Sequence, residues 1–146
     1  MRSNTQAALW LALVLSVGVG AAFAQTRDEA FLKRDIAYFQ ERSAVSVHAR
    51  LLGAEPLGDH GAGEGLGGYP LFRVRARALE TFKGAPLGEF AFDVALESPG
   101  RPPEGGDYIL NLSRTPEGRL YPTDESVGWI RATPGLLAHA RRLPRR

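Results

Sequence analysis

Two neighbouring stretches, residues 71–82 and 89–97, constrain this chain most, because their patterns answer each other. In the first, Phe72, Val74, Ala76 and Ala78 alternate with Arg73, Arg75 and Arg77. In the second, Phe90, Phe92, Val94 and Leu96 alternate with Glu89, Asp93 and Glu97. A period of two with one apolar face is the signature of a half-buried strand. Lys83-Gly84-Ala85-Pro86-Leu87-Gly88 lies between them, so the pair reads as an antiparallel hairpin. Setting Val74 across from Leu96, Ala76 from Val94 and Ala78 from Phe92 places small residues opposite large ones. The same register puts Arg77 opposite Asp93 and Arg73 opposite Glu97, pairs that favour it modestly. A slip of one residue would set charges inside and is forbidden by burial. A slip of two keeps the faces and brings Arg75 opposite Asp93 or Glu97.

The flanking sequence extends this all-β reading. Val45, Val47, Ala49 and Leu51 alternate with Ser46, His48 and Arg50, which predicts a strand over residues 43–52. Seven of the sixteen residues from 53 to 68 are glycine. Such a segment loses much entropy on ordering, so it is expected to be a long flexible loop. Tyr108, Leu110 and Leu112 mark another strand, Thr115-Pro116-Glu117-Gly118 a turn, Arg119-Leu120-Tyr121 a short return strand and residues 127–132 a last one. Helices are expected at both ends. Residues 28–42 place Leu32, Ile36 and Phe39 on one stripe, with Thr26 and Glu29 at capping-box spacing. Thr133-Pro134 opens a short helix running to about Arg142. No strand–helix alternation is present, so a doubly wound sheet is excluded. The predicted fold is mainly β: five or six strands in a small antiparallel barrel or a curled sheet, with an N-terminal helix and a short C-terminal helix.

The first 24 residues carry a different signal. One basic residue, Arg2, precedes a charge-free run from Ala7 to Phe23, and Ala22-Phe23-Ala24 supplies the small residues of a cleavage site. This is the pattern of a secretory leader, and the apolar part is short for a membrane anchor. Expected units are therefore a leader over 1–24, a helix over 25–42, the barrel over 43–132, and a helix with a basic tail over 133–146. A periplasmic or secreted product follows, with no membrane-spanning segment after cleavage. The chain has no cysteine, so neither a disulfide nor a lipid-bearing cysteine is possible. All sixteen acidic residues lie between positions 25 and 140, whereas Arg2 and four of the last six residues hold five of the eighteen basic ones. An acidic body with a basic tail argues against nucleic acid as partner. The tail is expected to be solvated, with weak contact to an anionic surface open to it. The richness in Ala, Arg, Gly and Pro fits a bacterial chain from a GC-rich genome.

No constellation of catalytic residues stands out. His48, His60 and His139 are far apart and lack zinc-ligand spacing. The glycines around Glu64 lack the Lys-Ser/Thr of a phosphate loop and precede a strand rather than a helix. No nucleophile-elbow sequence surrounds Ser113 or Ser126. No metal, cofactor or catalytic residue is therefore expected. Glu80 falls on the inward side of the alternation. Either a bulge or the strand end lets it out, or it is a buried carboxylate with a raised pKa. The candidate binding surface is the arginine stripe Arg73, Arg75 and Arg77, with His60 and Glu64 in the glycine-rich segment.

Three stretches resemble netrin-like domains, the group that includes the tissue inhibitors of metalloproteinases. They are residues 43–51, residues 72–84 ending in Phe82-Lys83-Gly84, and Gly105-Gly106-Asp107-Tyr108 with the apolar strand, turn and short strand that follow. The resemblance covers about residues 43–130 and implies a five-stranded barrel of the oligonucleotide/oligosaccharide-binding (OB) type. It departs in lacking cysteines, so zinc-protease inhibition is not implied, and what remains is the scaffold of a disulfide-free bacterial-type relative. The expected function is a non-catalytic binding or assembly domain engaging a protein or envelope component. The competing expectation is a secreted hydrolase using Glu80. Protein expressed in an exporting host should begin at Gln25 on N-terminal sequencing, and a product still carrying Met1 would refute the leader.

Overall fold

The computed structural model describes residues 29–60, 69–96, 101–124 and 129–145. Residues 1–28, where a leader and the Thr26 cap are expected, and Glu64, Glu97 and the other residues outside those ranges are not described. Helix α1 covers residues 29–42. Six strands follow: β1 (Val45–His60), β2 (Tyr69–Lys83), β3 (Glu89–Ala95), β4 (Asp107–Arg114), β5 (Leu120–Pro122) and β6 (Trp129–Arg131), then helix α2 (Pro134–Arg142). The strands are ordered β1-β2-β3-β5-β4, and β4 pairs back onto β1 to close a barrel. β5 and β6 both pair antiparallel with β4, β5 along Leu112–Arg114 and β6 along Tyr108–Leu110. They are two pieces of one interrupted fifth strand. The contact between β3 and β5 is parallel, so the barrel is mixed rather than wholly antiparallel. This strand order is that of an OB-type barrel.

The alternation places the core where it was expected. Phe72, Val74, Ala76, Phe92, Val94, Leu110 and Leu112 are buried inside the barrel with Val45, Val47, Ala49 and Leu51, and Phe90, Leu96, Tyr108 and Trp129 pack against them. Phe92 meets Trp129 edge-on, with ring centroids 6.2 Å apart, a preferred aromatic geometry. The turn at Thr115 closes with the Gly118 amide donating to the Thr115 carbonyl at 2.9 Å. Thr133 caps α2, its hydroxyl accepting from the Leu136 amide at 3.3 Å.

The long β1–β2 ladder departs from the expected loop. Residues 53–60 are strand, paired with β2 as far as His60 opposite Tyr69. Backbone pairing with β2 orders this stretch, in which Gly53 and Gly58 are the two glycines; the rest of the glycine-rich segment lies outside the described residues. Four register shifts interrupt this ladder. Leu52 and Leu57 are the extra residues on β1, Leu79 and Phe82 on β2, each a bulge that turns the strand locally. The bulge at Leu79 carries Glu80 to the outer face, where it pairs with His48. Of the two readings of Glu80, the bulge that lets it out is therefore the one found, and the buried inward carboxylate is not. The bulge at Phe82 sends its ring outward into a second core, formed with Ile36, Ile109, Ile130, Leu136 and Ala140 between barrel and helices.

The hairpin register also differs. Arg73 is opposite Asp93, Val74 opposite Phe92, and Arg77 opposite Glu89, four residues away from the expected pairing. The ladder with β3 ends where the Ala78 amide donates to the Gly88 carbonyl at 2.9 Å. Residues 79–83 then leave β3 and stay with β1, and the connection to β3 runs through Gly84–Gly88, where it was expected. Acids at 89, 93 and 97 repeat every four residues, as do Arg73 and Arg77. A four-residue slip therefore preserves both faces and the charge pairing, and Arg75 lacks an acid in either register. Replacing the fully buried Phe92 by alanine is expected to cost about 3–5 kcal/mol in denaturant unfolding. A loss below about 0.5 kcal/mol would remove it from the core.

Candidate functional site

The outer surface of the barrel carries two arrangements of charged residues with different characters. The first lies along the join of β3 and β5. Those strands meet at a single pair, Phe92 with Leu120, and the surface opens on either side of it. The wider opening, about 520 Å³, is lined by Arg73, Leu87, Phe90, Ala91, Asp93, Arg114, Gly118, Arg119 and Leu120. The narrower, about 210 Å³, shares Asp93, Arg119 and Leu120 and continues past Leu71, Ala95 and Tyr121. Together they form one shallow groove with an apolar floor.

Its charges divide into spent and available ones. Arg73 holds Asp93 in a two-pronged pair, Nε to Oδ1 at 2.8 Å and Nη2 to Oδ2 at 3.0 Å. The hydrogen-bonded carboxylate lifts the Arg73 pKa above its usual value. Arg77 is likewise engaged with Glu89 at 2.6 Å. Arg114 reaches back to the Gly118 carbonyl at 3.0 Å, which holds it across the β4–β5 turn. Among the described residues neither Arg114 nor Arg119 forms a salt bridge.

The second arrangement sits on the opposite side of β1, beneath α2. Arg141 of α2 grips Glu80 with Nε at 3.0 Å from both carboxylate oxygens and Nη2 at 2.8 Å from Oε2. Arg50 holds Asp107 in the same two-pronged fashion at 2.7 and 3.1 Å. His48 lies between them, its Nε2 buried and 3.8 Å from Asp107 Oδ2. The hydrogen bond from Arg141 is the main cause that lowers the Glu80 pKa, and that from Arg50 does the same for Asp107. Glu80 is thus kept ionised, the reverse of the raised pKa a general acid needs. Burial lowers the His48 pKa, although Asp107 and Glu80 work against it. Below the helix, Ser46 donates to Gln40 Oε1 at 3.2 Å and Gln40 Nε2 donates to the Ala140 carbonyl at 3.4 Å. These contacts tie α1, β1 and α2 together.

The expected binding residues are distributed unevenly over this surface. Arg73, Arg75 and Arg77 share the outer face of β2, but only Arg73 lines the groove. Arg75 lies opposite Ala91 across the hairpin and its guanidinium lies toward Gly53 of β1. His60 closes the β1–β2 ladder, remote in the sheet from the β3–β5 join. Glu64 falls outside the described residues. Arg141 lies in α2, which runs to Arg142 as expected, but it is held in an ion pair with Glu80 rather than solvated. Arg114 and Arg119 escaped sequence reasoning, because only barrel closure brings the β4–β5 turn against β3. Their one sequence signal was that both flank a tight turn, which also carries Glu117, a carboxylate that feels the Arg119 charge. No group of three or more His, Cys, Asp or Glu residues among the described residues is placed to hold a metal ion. Compared with known protein families, curated proteins and solved structures, the chain matches none of them.

The pKa directions set the response to acid. His48 is lowered in the fold, so the unfolded chain takes up its proton first, and stability falls as pH drops below the ordinary value of 6.5. Glu80 and Asp107, also lowered, contribute stability that is lost further down, as pH falls below their ordinary values of 4.5 and 3.8. Thermal melts are expected to show two successive declines. His48→Gln should flatten the decline between pH 7 and 5 and leave the lower one intact. An unchanged upper decline would assign it elsewhere.

Proposed function

We infer that this protein is an exported, non-catalytic binding or assembly domain that engages a protein or another envelope component through the β3–β5 groove. The observation that carries this reading is the groove itself: an apolar floor at the least closed join of the barrel, rimmed by Arg114 and Arg119, neither spent on a salt bridge among the described residues. OB-type barrels present ligands to the sheet around their second and third strands and the loop before the fifth, which is where this groove lies. The candidate acid–base group fits poorly with catalysis. Glu80 is clamped by Arg141 and serves to dock α2.

Export is supported by the leader pattern of residues 1–24. No helix among the described residues is long and apolar enough to cross a membrane. The remaining tail arginines, Arg142, Arg145 and Arg146, add a weak attraction to anionic surfaces. We further infer kinship with the disulfide-free side of the netrin-like barrels. Its support is the Phe-Lys-Gly triplet, each residue of which has its own structural task. Phe82 fills the second core. Lys83 donates to the Gln40 and Glu41 carbonyls at 3.1 and 2.8 Å, capping α1. Gly84 has φ +88°, and a Cβ there would lie 2.7 Å from the Ala44 carbonyl oxygen.

A photo-crosslinking residue tests the binding reading directly. Placed at the exposed Ala91 of the groove, it is expected to trap a discrete partner from an envelope extract, competed by unlabelled protein. The same residue at Phe31, exposed on α1, should trap none. Adducts from position 31 alone, or none from 91, would remove the groove as the binding surface.

A further inference from the structure

We propose that the β3–β5 groove takes an extended acidic segment of a protein partner, which lies along the open edge of β3 over Ala91 and sets a carboxylate on Arg114 and Arg119. The proposal rests on the groove being the binding surface and adds what binds there and how.

The edge of β3 is the first argument. β2 pairs with β3 along its whole length, from Leu71 opposite Ala95 to Arg77 opposite Glu89. On the other side Leu120 of β5 pairs at Phe92, engaging the Ala91 carbonyl and the Asp93 amide, so the unpaired stretch is Glu89 with the Ala91 amide. β5 is only three residues long and ends in Pro122, which has no backbone N–H to donate. Main-chain groups on an unpaired strand edge are a template for another strand, and strand addition is a recurring mode of peptide capture.

The other long edge of the sheet is treated differently. Among the described residues, the outer part of β1, residues 53–60, pairs with β2 alone, since β4 stops opposite Arg50. That stretch carries Pro56 and is flanked and interrupted by the bulged Leu52 and Leu57, features that blunt an edge against added strands. β3 has neither proline nor lysine and no bulge in its ladder with β2. Its residue over the groove is the small, exposed Ala91, which lets a second backbone approach.

Charge and floor select the occupant. Arg73 neutralises Asp93 by its two-pronged bond, while Arg114 and Arg119, both exposed, stand at one end of the groove. Arginine forks suit discrete carboxylates. Leu87, Phe90 and Leu120 give the floor an apolar seat for an intervening side chain. A polyphosphate chain fits less well. It offers no side chain for the apolar floor, and Phe90 is half-buried rather than presented as a stacking face for a base.

The test uses the folded protein and four probes: a soluble peptide of about ten residues with alternating glutamate and valine, the same peptide with lysine for glutamate, an oligothymidylate, and vesicles of phosphatidylglycerol. The glutamate peptide should bind, slow hydrogen exchange at the Glu89 and Ala91 amides, which face away from β2, and leave α1 amides unchanged. Arg119→Glu, at an exposed turn position, should keep the melting temperature and weaken binding by about tenfold or more, the effect of losing one charge-assisted hydrogen bond. The lysine peptide, oligothymidylate and vesicles should bind no better to the parent protein than to Arg119→Glu. Equal or tighter binding of oligothymidylate or vesicles overturns the proposal, as does glutamate-peptide binding without slowed exchange in β3 or without dependence on Arg119. If position 91 traps an envelope partner while the peptide fails to bind, strand addition falls and the groove stands. If neither occurs, both fall.

Discussion

The pairing of β1 with β2 is the constraint on which the rest of the molecule depends. It is the longest ladder in the sheet and its irregularities do most of the architectural work. The extra residues Leu79 and Phe82 on β2 rotate the strand so that a side of the chain that began inside the barrel finishes outside it. Without that rotation Phe82 would lie in the barrel and Glu80 would be a buried, unpaired carboxylate, which is costly. With it, Phe82 becomes the centre of a second core, Glu80 becomes the anchor for Arg141, and Lys83 reaches the last carbonyls of α1. Both helices are therefore docked by one short stretch of one strand. Glu29 adds a cross-tie, its carboxylate lying against Gly135 at the start of α2, where any side chain would displace it.

The barrel closes unevenly. β1 and β4 share six residue pairs, whereas β3 and β5 share one. A five-stranded barrel with an interrupted fifth strand has too little β5 to cover β3, and the resulting groove is a direct consequence of that shortfall. Function in small barrels is grafted on the scaffold, and here the scaffold offers an opening where its own hydrogen bonding is least complete. The β4–β5 turn delivers Arg114 and Arg119 to that opening, and the bond from Arg114 to Gly118 holds the turn in place.

Charge is partitioned to match. Arg50, Arg73, Arg77 and Arg141 each grip a carboxylate. The pairs at the helices surround His48 and keep Glu80 and Asp107 ionised. Exposed pairs contribute little to stability, about 0–1 kcal/mol each. Their larger effect here is on which cations are left without a salt bridge among the described residues, and in the groove those are Arg114 and Arg119, the latter within reach of the Glu117 charge.

Much of this was legible in the sequence. Periodicity of two is a local property of the chain. It identified the strands, their inward faces and the residues of the barrel core, from Phe72 and Val74 to Leu112 and Trp129. The turn at Thr115 and the cap at Thr133 were legible for the same reason, since their hydrogen bonds span a few residues. Gln40 was not, because it sits one position off the apolar stripe and its burial depends on Ser46 and Ala140. The register of the hairpin was not either: acids and arginines repeat every four residues, so two registers satisfy local rules equally, and only the competition of β1 for residues 79–83 selects between them. The strand character of residues 53–60 came from a partner strand rather than from their own composition. The groove is the clearest case. Its arginines, its alanine and its apolar floor come from β2, β3, β4 and the β4–β5 turn, and nothing in their spacing along the chain brings them together. The sequence determined which residues face inward, because burial acts on each strand separately; the tertiary structure decided where the barrel stays open, because closure is a property of all the strands at once.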